Sequence, residues 1–116
     1  MKTLRLTRAE SAAYANGERR FWRAIDLRKQ GLGTAQPHEN ATWCRELNGE
    51  WEWWGPKDKW GHALLYQWRV KCPYGKPGDR IEVMERGCPG CVHMTLTAIT
   101  VDQRGGKWGW VVEVGA

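Results

Sequence analysis

The string Cys72-Pro73-Tyr74-Gly75-Lys76-Pro77-Gly78-Asp79-Arg80-Ile81-Glu82-Val83 constrains this chain more than any other stretch. Pro77 fixes its own φ near about −65°, while Gly75 and Gly78 reach positive φ at little steric cost. Lys76-Pro77-Gly78-Asp79 therefore reads as a type II turn, with Pro second and Gly third. The turn feeds directly into a strand predicted over Arg80 to Arg86. A chain punctuated this tightly is one of short strands and sharp turns.

The rest of the sequence follows the same grammar. Lys2 to Leu6 alternates as a first strand. Thr7-Arg8-Ala9-Glu10 is a capping box that opens a helix over Arg8 to Ala15, and Asn16-Gly17 closes it. Arg20 to Ile25 reads as a strand continuing into the charged Asp26 to Gln30, and Gly31 to Asn40 as a loop. Asn48-Gly49 between Thr42–Leu47 and Glu50–Trp54 is a strong hairpin signal, and Gly55 to Lys59 is another turn. Further strands are predicted over His62–Lys71, Val92–Asp102 and Lys107–Val114, with Arg104-Gly105-Gly106 turning into the last. Apolar parity shifts from Val92, Met94, Leu96 and Ala98 to Ile99 and Val101, which predicts a bulge or corner. One short helix, or two, with six or more short strands gives a mainly β fold, a closed or nearly closed β-barrel.

At 116 residues the chain forms a single domain, residues 1–116, with one modest core. No stretch approaches the roughly 18–20 apolar residues of a membrane span, and the N-terminus lacks the apolar run of a signal peptide. A cytoplasmic protein without a membrane partner is expected, with Cys44, Cys72, Cys88 and Cys91 as thiols or metal ligands. The net charge is +5, and residues 1–30 carry eight Lys/Arg against three Asp/Glu. That excess around Arg19, Arg20, Arg23, Arg28 and Lys29 favours a polyanionic partner, with a solvated basic face as the plain alternative. Nine tryptophans can fill a small core. In Trp51-Glu52-Trp53-Trp54, however, adjacent indoles cannot share one face of a strand, so Trp53 or Trp54 is expected outward or in a loop.

The Cys72–Val83 string, Glu85, and the terminal Trp108-Gly109-Trp110-Val111-Val112-Glu113-Val114 together resemble the ASCH domains of the PUA-like superfamily, specifically their small bacteriophage and prophage members. Gly17-Glu18-Arg19-Arg20-Phe21-Trp22-Arg23 is loosely similar to the family's basic stretch. The resemblance covers most of the chain and implies a PUA-like barrel with a cleft between that stretch and Glu85. Some members of the family are amidohydrolases on acylated cytidine, using a Lys, a Thr and this Glu. Here Arg19 stands at the Lys position and Trp22 at the Thr position. Arg keeps its proton near neutral pH and an indole has no hydroxyl, so catalysis is disfavoured and Glu85 alone keeps a catalytic candidacy.

What remains suits binding of RNA or another nucleic acid. Arg19, Arg20 and Arg23 can pair with phosphates, and Trp22 or Phe21 can stack a base. Glu85 can accept from a base edge or tie down Arg23, and Tyr74 and Lys76 sit in the signature turn. The alternatives are an acylcytidine amidohydrolase, an RNA-cleaving nuclease, and a module that binds a host protein through exposed tryptophans. No cofactor is expected and no metal site is favoured, because Cys88-Pro89-Gly90-Cys91 lacks a second Cys-x-x-Cys pair. The zinc set that strand geometry would allow is Cys88, Cys91, His62 and His93.

Overall fold

The structure, a computed structural model, describes residues 2–87 and 90–116. It is mainly β: β1 (Thr3–Arg5), α1 (Arg8–Ala15), β2 (Arg20–Ala24), a 3₁₀ turn (Leu27–Gln30), β3 (Trp43–Leu47), β4 (Glu50–Trp54), β5 (Leu65–Lys71), β6 (Arg80–Met84), β7 (Val92–Arg104) and β8 (Lys107–Gly115). The strands form a five-stranded sheet of order β1-β6-β7-β8-β2 and a three-stranded sheet β3-β4-β5. Neither closes on itself among the described residues. Two compact units partition the chain. One comprises the residues up to Arg23, Pro73–Thr100 and Trp110–Ala116; the other comprises Ala24–Cys72 and Val101–Gly109.

In the first unit the local signals operate as the sequence predicts. Thr7 Oγ1 accepts from the Glu10 backbone N–H at 3.2 Å, and Glu10 Oε1 accepts from the Thr7 N–H at 3.0 Å, completing the capping box. The Lys76–Asp79 turn closes with Asp79 N–H donating to Lys76 O at 3.1 Å, with Gly78 at φ 98°. Gly75, at φ 108°, is required twice over. Besides its left-handed backbone, a Cβ there would stand 2.7 Å from Asp79 Oδ2, which accepts from the Lys76 N–H. The turn is knitted to β7 by Gly78 N–H to Leu96 O and Leu96 N–H to Asp79 O, both 2.8 Å. β1 runs parallel to β6, with Thr3 beside Glu82 and Arg5 beside Met84. Leu4, Leu6, Phe21, Ile81, Val83, Leu96, Trp110, Val112 and Val114 fill this unit's interior.

In the second unit Asn48 and Gly49 both take positive φ, 54° and 83°, and join β3 to β4 as a type I′ hairpin. Trp43 faces Trp54 across the pair, and their rings stack at 5.8 Å and 13°. Trp53 is fully buried, with its ring edge-on to Trp108 at 6.2 Å. Of the adjacent pair, Trp53 enters the core, and Trp54, half-buried, stacks on the cross-strand Trp43. Gln36 pins the same core by accepting from the Trp108 N–H at 2.7 Å and donating to Ile25 O at 2.8 Å.

At three of the boundaries that differ from expectation, a polar side chain redirects the backbone. Asp26 caps Leu27–Gln30 by accepting from the Arg28 N–H, so that charged run curls into 3₁₀ rather than extending β2. Asp58 Oδ1 accepts from both the Trp60 and His62 N–H groups at 2.9 Å, folding 58–62 into a turn and delaying β5 to Leu65. At the end of β6 the Arg86 N–H donates to Ser11 Oγ instead of continuing the ladder.

Candidate functional site

The basic residues predicted as phosphate ligands are largely engaged within the molecule. Arg23 makes a bidentate pair with Glu10, at 2.6 and 2.8 Å, and also donates to Trp22 O at 2.8 Å and Arg5 O at 2.6 Å. Four of the five N–H bonds of a guanidinium are thus used. Burial alone would raise the Glu10 carboxyl, but Arg23 and the Thr7 N–H outweigh it and hold its pKa below the ordinary carboxylate value. The sequence suggested Glu85 as the structural partner of Arg23; the partner seen here is Glu10, which α1 presents through its capping box. Arg19 lies over the Tyr14 ring at 4.1 Å and donates to Tyr14 O and Glu18 O, both at 2.9 Å. Arg20 pairs with Glu113 at 3.1 Å, with 64% of its side chain exposed. Arg19, Arg20, Gly17, Glu18 and Glu113 line one shallow depression.

Glu85 lines a separate depression of about 320 Å³ with Arg5, Leu6, Met84, Arg86 and Gly87. Neither Arg19 nor Trp22 lines it. Trp22 is half-buried on β2, and Tyr74 and Lys76 remain with the signature turn. Of the candidate zinc set, Cys88 lies outside the described residues. His62 belongs to the second unit, where its ring faces Asp58 at 3.8 Å. Cys91 and His93 come together in the first unit, and Glu82 joins them. Cys44 is a protonated thiol, since burial pushes its pKa up to about 11.

The outward-facing aromatic residues lie elsewhere. Trp60 is 70% exposed and Trp68 55%, with Leu64 and Leu65 exposed between them. Each indole carries a cation: Lys59 Nζ is 4.4 Å from the Trp60 ring centre and Arg69 Cζ 4.1 Å from that of Trp68. The register explains how β5 presents neighbouring residues together. Trp51 pairs with Val70 and Trp53 with Gln67, so Trp68 and Arg69 both oppose Glu52 alone. This is a β-bulge, and Arg69 occupies it at φ 53°. Strict alternation would turn one of the two side chains to the opposite face. The bulge exposes both and lets the guanidinium lie on the indole. Its conformation suits Gly or Asn far better than Arg.

Sequence reasoning had no means of locating this bulge, because no glycine marks it. The available clue was the interleaving of cations and aromatics from Lys57 to Lys71, four Lys/Arg against the single carboxylate of Asp58. Among the described residues no helix is long and apolar enough to cross a membrane. Compared with protein-family models, curated proteins and solved structures, the chain matches none.

Proposed function

We propose that this protein binds single-stranded nucleic acid, RNA in particular, by stacking bases on Trp60 and Trp68 while Lys57, Lys59, Arg69 and Lys71 neutralise the backbone. The observation that carries the reading is the Trp68–Arg69 bulge, which holds an exposed indole under a guanidinium at the cost of a left-handed arginine. Non-glycine residues in that backbone region persist where the surroundings enforce them, and they cluster at binding sites. An indole with a cation on one face offers a stacking platform that tolerates any base.

The proposal keeps the class of partner inferred from the sequence and moves the principal contact from the Arg19–Arg23 stretch to the β5 region. Arg23 serves the fold through Glu10. We also carry forward, as proposals, the PUA-like architecture and the ASCH kinship with its phage or prophage origin, which rest on the sequence resemblance, and a cytoplasmic setting, which rests on the hydropathy of the sequence. Catalysis is the weaker alternative, since Glu85 shares its depression with neither Arg19 nor Trp22. One observation favours the protein-binding alternative: Leu64, 67% exposed, and Leu65 stand between the two tryptophans in sequence and are exposed with them, and aromatic residues are enriched at protein interfaces.

The test is fluorescence quenching of the protein by short single-stranded RNA at several salt concentrations. The nucleic-acid reading expects log K to fall with log salt with a slope on the order of −3, as about four neutralised phosphates give. Absence of binding at low salt sinks it. Salt-insensitive capture of a protein that is lost on Leu64→Ser establishes the alternative.

A further inference from the structure

We propose that Glu82, Cys91 and His93 form a binding site for a transition-metal ion of borderline softness, Zn2+ in particular. The strand register assembles the set. Glu82 on β6 and His93 on β7 are direct antiparallel partners. Cys91 stands two positions before His93, immediately ahead of the start of β7 at Val92. One thiol sulfur, one imidazole nitrogen and one carboxylate oxygen come to lie within 4.8 Å of one another. His93 Nε2 is 3.6 Å from Glu82 Oε1. Bonds of about 2.0–2.3 Å in a tetrahedral zinc site place neighbouring ligand atoms roughly 3.3–3.8 Å apart. The histidine–glutamate separation already fits, and a side-chain movement of about an ångström closes the remainder.

The surroundings support the carboxylate in this role. Thr3 Oγ1 donates to Glu82 Oε2 at 3.2 Å from the parallel strand β1, leaving Oε1 turned toward His93. Metal-binding carboxylates are commonly oriented by such a partner. Arg80, two residues before Glu82 on β6, is engaged with Thr95 Oγ1 at 2.8 Å and His93 O at 3.2 Å, which fixes the backbone that carries the imidazole. Cys91 and His93 are exposed, so an ion reaches them without rearrangement of the core. The sulfur–nitrogen–oxygen set selects zinc over calcium and magnesium, which prefer oxygen ligands alone. Three protein ligands leave a fourth position for water or a donor group of a bound molecule. None of the three residues takes part in the proposed nucleic-acid contact.

The experiment uses reduced, chelator-stripped protein titrated with Zn2+ against a chromophoric chelator, and in parallel with Co2+ followed by absorption. One ion per chain is expected, with a thiolate-to-cobalt charge-transfer band. Cys91→Ser abolishes the band, and Cys91→Ser and His93→Ala each weaken Zn2+ binding on the order of 100-fold or more. Thr3→Val weakens it about 10-fold through the carboxylate, and His62→Ala leaves it unchanged. Far-UV circular dichroism confirms that the variants fold, and Zn2+ raises the melting temperature of the parent but not of Cys91→Ser. Fewer than one ion per chain, no charge-transfer band, or parent-like binding by both Cys91→Ser and His93→Ala overturns the proposal.

Discussion

Two basic regions of this molecule use the same residue types in opposite ways. Around Arg19–Arg23 the guanidinium groups are turned to the protein's own acceptors: Glu10, Glu113 and several carbonyls. Within Lys57–Lys71 two of the cations, Lys59 and Arg69, lie on indoles that are themselves exposed. A density of positive charge in the sequence therefore says little about where a ligand sits. What distinguishes the regions is the presence of matching carboxylates. Glu10 and Glu113 pair with guanidinium groups of the first cluster, whereas Asp58 spends its oxygens largely on the backbone of its own turn.

The largest expected effect breaks the comparison at the second region. Replacing both Trp60 and Trp68 by Ala removes two stacking platforms worth about 1–3 kcal/mol each. RNA affinity should fall on the order of 100-fold in quenching or anisotropy titrations, with thermal stability little changed. Parent-like affinity would falsify the assignment of this region as the contact.

Next is Glu10→Ala in the first region. It deletes half the capping box and leaves the part-buried Arg23 without its bidentate partner, at a cost of about 2–3 kcal/mol. The melting temperature should drop by roughly 10 °C or more, while RNA affinity stays near that of the parent. An unchanged melting temperature would show that the pair is dispensable.

The same pair supplies a pH signature. Because the folded-state pKa of Glu10 lies below its unfolded value of about 4.5, its contribution is complete above that value and is lost as pH falls through the folded pKa. Acid titration of parent and Glu10→Gln should thus show a stability difference that narrows below about pH 4.5. A gap that stays constant to low pH contradicts the assignment.

A smaller change sharpens the contrast. Arg69→Gly relieves the left-handed backbone and should raise stability by about 1 kcal/mol, while RNA affinity falls several-fold as the cation over Trp68 is lost. If stability and affinity rise together, the bulge is not held for binding. The smallest effect belongs to Arg20→Ala, which breaks an exposed pair worth about 0.5 kcal/mol or less and should be near silent in thermal unfolding.

Much of the local structure was legible in the residues. The helix over Arg8–Ala15 has a complete capping box in Thr7 and Glu10, and Asn48-Gly49 and Lys76–Asp79 contain the residues their turns demand. These signals are short-range, so the sequence carries them whole. The strand boundaries at His62, Arg86 and Asp26 were misplaced because single polar side chains redirected the backbone there. The fate of Trp53 and Trp54 depended on what β3 and the residues around Trp108 place beside them. The sequence nominated Cys91 and His93 from their spacing but had no reason to add Glu82, which joins them only through the pairing of β6 with β7.

By itself, then, the sequence determined the turns, the helix, the mainly β character and the excess of positive charge, because each follows from residues within a few positions or from composition. Only the tertiary structure decided which charges are spent. Whether an arginine meets a carboxylate or an exposed indole depends on strand register and on one extra residue in β5, and register is a long-range property. Arg23 and Arg69 are the same side chain; Glu10 waits beside one and Trp68 lies beneath the other.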